Sequence, residues 1–244
     1  EKPELAGIVL LVILIALFQI KSDGIFLGAE NLRGILGLLP ETGLIAIGVT
    51  LLMIAGEFDL SVGSVFALMP MTMAIVMTHG IPFVPAVAIG FAVCILVGFV
   101  NGYVTLTYNI PSFISTLGML FMARSLTIVI SGGFPPLLAD DLPTWLFTSY
   151  VGPGSLFRMS FIWFVIIGVL AAYLLARTNF GNWVSAVGGF SDAAAATGLP
   201  VRGVKMVCFI LCSVLAGFAG MIQVLRLGSP LPSIGEGMEL QAVA

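Results

Sequence analysis

Polar and glycine residues interrupt a long apolar sequence at residues 56–64, which read GEFDLSVGS. The segment places two carboxylates, Glu57 and Asp59, beside two hydroxyls, Ser61 and Ser64. An ionised group at membrane depth costs roughly 2.5–3.5 kcal/mol, and irregular backbone survives there only where protein buries it or it lines a wet cavity. The segment therefore indicates either a transport pathway or a capped helix start, with Asp59 or Ser61 as the N-cap.

Two further polar side chains, Asn101 and Arg124, lie inside apolar sequence. Asn101 falls within the G-x-x-x-G spacing of Gly98 and Gly102, which lets helices approach closely and favours a bond between them. Arg124 either faces a pathway or holds helices together, through backbone carbonyls or through an ion pair with a carboxylate of segment 56–64. The candidate pathway or gate residues are thus Glu57, Asp59, Ser61, Ser64, Asn101 and Arg124.

The composition predicts that these residues sit in an all-α, polytopic membrane protein. Of the 244 residues, 59% are hydrophobic and only 9% are charged, whereas about 25% are charged in a soluble domain. The formal net charge of −3 argues against a nucleic-acid partner, because no basic patch is present to neutralise phosphates. The lipid bilayer is the expected environment.

A span requires about 20 apolar residues, and the sequence predicts a single transmembrane domain with about seven of them. They are residues 5–20, 35–55, 62–77, 83–104, 113–130, 161–176 and 206–225. Pro40 and Glu41 predict a broken or late start of the second span. The first is predicted to be a retained span, because no cleavage site of the A-x-A kind follows it.

Lys and Arg residues in the short connections indicate the orientation. Residues 177–205 carry Arg177, Arg202 and Lys205 and are predicted to be cytoplasmic, while residues 131–160, which contain Arg158 and two acids, are predicted to be external. Alternation of the spans then places the N-terminus in the cytoplasm.

Residues 191–199, SDAAAATGL, predict a short helix of about two turns in the cytoplasmic connection. Ser191 is a favourable N-cap and Asp192 suits the positive end of the helix dipole. Gly198 suits the left-handed position after the helix, and Pro200 prevents continuation. Two interpretations remain open here: a solvated connector, or a docking helix whose small alanine face fits a groove on a soluble partner.

Residue patterns for chemistry are otherwise sparse, and no catalytic, metal or cofactor site is predicted. The 244 residues contain no G-x-x-x-x-G-K-[ST] loop, so nucleotide phosphates must be bound elsewhere. Cys208 and Cys212 are two thiols on one helix face and indicate packing more than a metal site. His79 is predicted to be a surface histidine in an external turn, and a role in a proton relay is the alternative.

Several motifs, in order along nearly the whole chain, carry a family resemblance. They lie at residues 55–65, where the family usually shows Gly-Gly-Ile-Asp-Leu-Ser-Val-Gly, and at 101–102, 110–119, 123–124, 131–133, 180–181, 186–189, 193–194, 198–199, 204–205, 216–220 and 226–230. The chain resembles permease subunits of bacterial ABC importers of the ribose/xylose/galactose branch. That group includes autoinducer-2 permeases, with nucleoside and branched-chain amino-acid permeases as more distant relatives. Glu57 and Phe58 depart from the usual Gly and Ile.

The resemblance implies a vitamin-B12-permease-like transmembrane domain that works with a second permease copy, as a homodimer or heterodimer. It implies an ATP-binding subunit as partner, which would contact a cytoplasmic coupling helix at 191–199. The coupling residues would be Ser191, Asp192, Ala193, Ala194, Ala195, Gly198 and Leu199. A periplasmic or extracellular solute-binding protein and a place in the bacterial cytoplasmic (inner) membrane are also implied. Only Asp192 is left of the acidic run that the family tends to show before the alanine pair.

The function expected is that of a permease subunit in an ATP-driven, binding-protein-dependent importer of a small polar solute, above all a monosaccharide. The alternative is an ion-coupled secondary transporter that uses Glu57, Asp59 and Arg124. Within the ABC class, autoinducer-2, a nucleoside or an amino acid are alternative solutes. A membrane scaffold is a third hypothesis, but it gives no reason for segment 56–64. Family members continue through further hydrophobic segments, and this chain is expected to do so beyond residue 244.

Overall fold

A computed structural model describes residues 3–138, 142–152 and 154–242, with side chains described from residue 7 onward. The described residues form eleven helices and no β-strand, with one isolated antiparallel bridge between Tyr150 and Arg158. The helices are α1 (Pro3–Lys21), α2 (Ala29–Ile54), α3 (Val62–Thr78), α4 (Phe83–Tyr108), α5 (Ser112–Ser131), α6 (Trp145–Thr148), α7 (Met159–Arg177), α8 (Asn179–Gly189), α9 (Ser191–Ala196), α10 (Val201–Leu227) and α11 (Met238–Gln241).

Helices α2, α4, α5, α7 and α10 are long and apolar enough to cross a membrane, while α3 and residues Gly7–Lys21 are shorter apolar helices. The break expected at Pro40 is wrong, because α2 continues through Pro40 from Ala29 to Ile54. Pro40 lacks an N–H donor and so removes one hydrogen bond of the helix, but the other turns keep this 26-residue helix continuous. Residues 179–189 form helix α8, which the sequence analysis did not predict; the Thr178 hydroxyl caps it by accepting a hydrogen bond from the Gly181 amide.

The core lies around α3, whose residues from Val62 to Met71 are all buried. Helix α10 packs against α2, α3 and α4. Its contact with α4 depends on Gly98, because a Cβ there would lie 2.7 Å from the Ile210 Cα. Gly102 fills the same role one turn later, opposite Met206. The predicted G-x-x-x-G spacing therefore serves close helix packing, while most described side chains of α1 are exposed and those of α7 are mostly half-buried or exposed.

The helix directions bring several helix ends together. Helices α2 and α10 are antiparallel, since Glu41 contacts Arg226 near the end of α10 and Glu57 contacts Lys205 near its start. The end of α2, the start of α3, the α4–α5 turn, α9 and the start of α10 consequently lie at one end of the bundle, the α9 end. The start of α2 and the end of α10 lie at the other, the far end.

Candidate functional site

The turn at residues 55–61 joins α2 to the buried helix α3. Gly56 adopts a left-handed conformation, with φ of 83°, which ends α2 at little steric cost. The turn is fixed from α5, because the Phe58 amide donates to the Ser112 hydroxyl and the Leu60 amide donates to the Thr116 hydroxyl, each at 3.1 Å. Its backbone is therefore tied to a neighbouring helix.

Asp59 is buried at the centre of this turn. Its Oδ1 accepts hydrogen bonds from the Ser61 amide at 2.7 Å and the Ser61 hydroxyl at 2.6 Å. The Asn101 Nδ2 lies 3.4 Å from both Asp59 carboxylate oxygens and donates to the Ser61 hydroxyl at 2.9 Å. Burial raises the pKa of the Asp59 carboxyl, while the bonds from Ser61 and Asn101 act in the opposite direction. This arrangement holds the turn in one shape.

The capped helix start expected here takes another form. Ser61 does occupy the N-cap position of α3, but its side chain makes no capping hydrogen bond. The Asp59 carboxylate accepts from the Ser61 amide instead. Ser64, in the first turn of α3, is buried and donates to the Leu120 carbonyl of α5 at 2.8 Å. Asp59, Ser61 and Asn101 thus meet in one buried cluster, with Ser64 bonded separately to α5.

Glu57 belongs to a different part of the site. Its Oε1 lies 2.7 Å from the Lys205 Nζ, and each side chain is only 12% exposed. Both side chains line an open cavity of about 760 Å³ at the α9 end. The other walls are the α4–α5 turn at residues 109–111 and α9 with the start of α10. The cavity places this ion pair beside the predicted coupling helix.

Arg124 does not contact the carboxylates of segment 56–64, so the ion pair with Asp59 or Glu57, one of the alternatives that the sequence left open, is not formed. Its Nη1 donates to the Pro232 carbonyl at 2.9 Å and to the Ile234 carbonyl at 2.7 Å, and its Nη2 lies 3.4 Å from the Gly63 carbonyl. These bonds form the carbonyl clamp, which was one of the alternatives that the sequence allowed. The guanidinium joins α5 to the start of α3 and to the segment between α10 and α11.

Helix α9 begins at Ser191 and ends at Ala196, so it is shorter than the predicted segment 191–199. The prediction that Ser191 is the N-cap is wrong: Phe190 holds that position, and the Ser191 hydroxyl donates to the Val187 carbonyl at 2.8 Å. Because α8 and α9 are almost continuous, Ser191 bonds back to the preceding helix. Gly198 adopts the expected left-handed conformation, with φ of 86°.

The faces of α9 differ in exposure. Ala194 is buried against the bundle and Leu199 is half-buried, whereas Asp192, Ala193, Ala195 and Gly198 are exposed. The exposed face therefore consists of small side chains and a single carboxylate. Such a face permits close approach of another surface.

Sequence reasoning missed several partners in this region. Lys205 was used as an indicator of orientation and as part of a family motif but not as a partner of Glu57, and Ser112 and Thr116 were not singled out individually. Glu41 was considered only for a possible helix break, yet its Oε1 accepts from the Arg226 Nη2 at 2.8 Å and Nε at 3.0 Å. The signal was present for Glu41 and Arg226, because each is a charge inside or at the end of an apolar helix and requires a partner.

Comparison with known proteins identifies the family. Residues 31–244 match the family model described as "Branched-chain amino acid transport system / permease component". The chain is 32% identical over 242 residues to the Ribose import permease protein RbsC of Escherichia coli, covering 99% of this chain and 75% of the relative. It is 33% identical over 221 residues to the L-arabinose ABC transporter permease protein AraH of Azospirillum brasilense, covering 90% of this chain and 64% of the relative.

A third relative is also named as an import permease. The Xylose/arabinose import permease protein XylH of Sulfolobus acidocaldarius is 30% identical over 230 residues, covering 91% of this chain and 62% of the relative. No solved structure matches the chain. The helical architecture, the five membrane-length helices and these matches agree with one another. The chain is a multi-pass inner-membrane protein that belongs to this family of transport permeases, within its sugar branch of ABC permeases.

Proposed function

We propose that this chain is the permease subunit of an ATP-driven, binding-protein-dependent importer of a monosaccharide. The named sugars of its relatives, ribose, arabinose and xylose, make a pentose the first solute to test. A neutral sugar needs hydroxyl, amide and aromatic groups along its path and no fixed countercharge.

One observation carries the proposal: helix α9 lies at the same end of the bundle as the turn that leads into the buried helix α3. Its alanines at 193 and 195 are exposed, and the cavity beside it is lined by both α9 and Glu57 of that turn. A soluble ATP-binding subunit that grips α9 would therefore act close to the start of the central helix. The partner must bind two states of the permease with different affinities for its energy to be used.

The remaining partners follow from the same proposal. ATP is bound and hydrolysed on the partner subunit, so this chain needs no cofactor of its own. The solute-binding protein delivers the sugar at the far end, where the Gly154 and Ser155 carbonyls accept hydrogen bonds from Arg33 near the start of α2. A second permease copy completes the pathway.

An ion-coupled carrier is the second candidate, and the geometry does not favour it. A relay needs titratable groups within hydrogen-bond reach of one another. Glu57 is paired with Lys205, Asp59 is bonded to Ser61 and Asn101, and Arg124 is bonded to backbone carbonyls. The three proposed relay residues are thus held by three separate sets of partners.

The test is uptake by proteoliposomes that contain the permease with its ATP-binding subunit, with the binding protein supplied outside. Labelled ribose, xylose and arabinose are offered in turn, with branched-chain amino acids and nucleosides as competitors. We expect uptake that requires internal ATP and survives ionophores. Uptake driven by an imposed proton or sodium gradient without ATP would contradict the proposal.

A matched pair of variants tests the role of α9 in the same vesicles. Ala195→Trp adds bulk to the exposed face of α9, and we expect it to abolish uptake by blocking the partner. Ala172→Trp adds the same bulk at an exposed position of α7 and is the control. Equal uptake in the two variants would count against α9 as the docking helix.

A further inference from the structure

We propose that the Glu57–Lys205 ion pair is the link through which movement of α9 reaches the turn before α3. The pair would thereby set how much solute is carried for each ATP hydrolysed. This inference rests on the proposed function and adds two positioning residues to it. The charge concerned is that of Glu57, which replaces the glycine usual at this position in the motif that segment 56–64 resembles.

Lys205 lies near the start of α10, only a short connection after α9. Only residues 197–200 separate α9 from α10, and Lys205 follows in the second turn of α10. The connection is short and bonded, since the Gly198 amide donates to the Ala195 carbonyl at 2.9 Å and the Leu199 amide donates to the Ala194 carbonyl at 3.1 Å. A displacement of α9 therefore displaces the start of α10.

Glu57 lies in the turn that leads into α3. The Glu57 amide donates to the Leu52 carbonyl at the end of α2. Two residues later Asp59 organises the hydrogen bonds that fix the turn. The Glu57 side chain points away from that cluster to Lys205, so a pull on the carboxylate acts on the turn and, through it, on α3.

The surroundings of the Glu57–Lys205 pair allow its two side chains to separate. The pair lines a cavity of about 760 Å³, so the two side chains can separate into open space without repacking the core. A lysine ammonium on a flexible four-carbon stem tolerates such movement better than a planar guanidinium would. Loss of one partner therefore leaves the other side chain beside the cavity without the attraction that joins α10 to the turn.

A second contact between this region and the turn is of another kind. In α8, before α9, Gly188 packs so closely on the Ile54 carbonyl that an added Cβ would overlap it. This contact joins backbone to backbone and has no side chain that can release. The two flanks of α9 thus touch the α2–α3 connection by one fixed contact and one breakable contact.

The experiment measures uptake and ATP hydrolysis together in the reconstituted complex. The single variants are Glu57→Gln and Lys205→Gln, and the rescue variant carries Glu57→Lys with Lys205→Glu. The control is Arg177→Gln, which removes an exposed positive charge at the end of α7, outside the cavity. Assembly of each complex is checked by co-purification.

We expect each single variant to lower uptake per ATP about tenfold, within the usual range of coupling between two sites. The swapped pair should restore uptake to within about threefold of the unmodified protein, because the attraction depends on opposite signs and not on their order. The control should leave the ratio unchanged. If a single variant fails to assemble, the swapped pair still decides the matter.

Two results would overturn the inference: an unchanged ratio in both assembled single variants, or an assembled swapped pair that stays uncoupled. Failure of the proposed function gives a different result. In that case the unmodified complex itself shows no ATP-dependent uptake of any of the three sugars.

Discussion

Helix α10 is joined to the α2 side of the bundle by one ion pair near each of its ends. At the far end, Arg226 donates through Nε and Nη2 to the Glu41 Oε1 within α2. At the α9 end, Lys205 makes a single bond to Glu57 on the turn after α2. One pair joins α10 to α2 and the other joins α10 to the turn that follows α2, but the two pairs are built from different groups.

The two pairs differ in how much movement of α10 each can tolerate. The Glu41 side chain is 2% exposed and lies between two packed helices, and its partner is a planar guanidinium with two donors engaged. The Glu57 side chain borders a cavity, and its partner is a flexible lysine. A planar fork defines one geometry, whereas an ammonium accepts several. The far pair therefore fixes α10 against α2, and the near pair permits movement there.

Glu41→Gln should have the largest effect on stability. It leaves the Arg226 guanidinium without its countercharge between two helices, which typically costs about 3–5 kcal/mol. Thermal unfolding of the purified protein in mild detergent should show a clear fall in midpoint. The control is Glu30→Gln, because Glu30 is 87% exposed in its pair with Arg33, and exposed pairs contribute about 0–1 kcal/mol. Equal midpoints for the two variants would remove the contrast between a fixed end and a movable end.

Asp59→Ala should come next, and it separates the fixed part of the α9 end from the movable part. The change leaves the Ser61 amide and hydroxyl without their buried acceptor, at a cost of about 3 kcal/mol. Asp59→Asn keeps an acceptor oxygen at the same place and should cost less. Glu57→Gln should alter stability least of the three, although it lowers coupling. A larger loss of stability from Glu57→Gln than from Asp59→Ala would reverse this assignment.

Arg124→Gln should have a smaller and local effect. It removes the charge-assisted bonds to the Pro232 and Ile234 carbonyls, which together contribute about 2 kcal/mol and hold a connecting segment, not a core helix. The segment between α10 and α11 would then lose its attachment to α5. Limited proteolysis should cut residues 229–237 faster, while the midpoint of thermal unfolding changes little. Unchanged cleavage there would show that other contacts hold the segment.

Much of the helical architecture could be predicted from the sequence, because apolar runs near membrane length admit few structures other than helices. Gly98 and Gly102 indicated a close helix contact, and Gly198 indicated the end of α9. These signals depend on local spacing or on the conformational freedom of one residue. They did not require knowledge of which elements meet.

The partners of charged residues could not be predicted in the same way. For Arg124 the sequence suggested Glu57 or Asp59 as an ionic partner, but its shortest bonds go to the Pro232 and Ile234 carbonyls, beyond α10. Glu57 binds Lys205, which lies in the second turn of α10, far along the chain. A charge inside an apolar run shows only that a partner is needed, and the choice among partners is made by the tertiary packing. The length of α2 was misjudged for a related reason, since its contacts with α7 and α10 support the helix through Pro40.

The smallest effect expected is that of Gly198→Ala, which tests whether the α9 end is the end that moves. Gly198 has φ of 86°, and an added Cβ there would meet nothing within 4 Å, so the cost is conformational only, about 1–2 kcal/mol. Gly118→Ala on α5 also meets nothing within 4 Å but lies in an ordinary helical conformation, and it should stabilise by about 0.5–1 kcal/mol. Because Gly198 fixes the angle between α9 and the helix that carries Lys205, its substitution should reduce uptake per ATP more than its small effect on unfolding implies. A variant that loses stability while keeping its full uptake per ATP would show that the angle of α9 does not govern coupling.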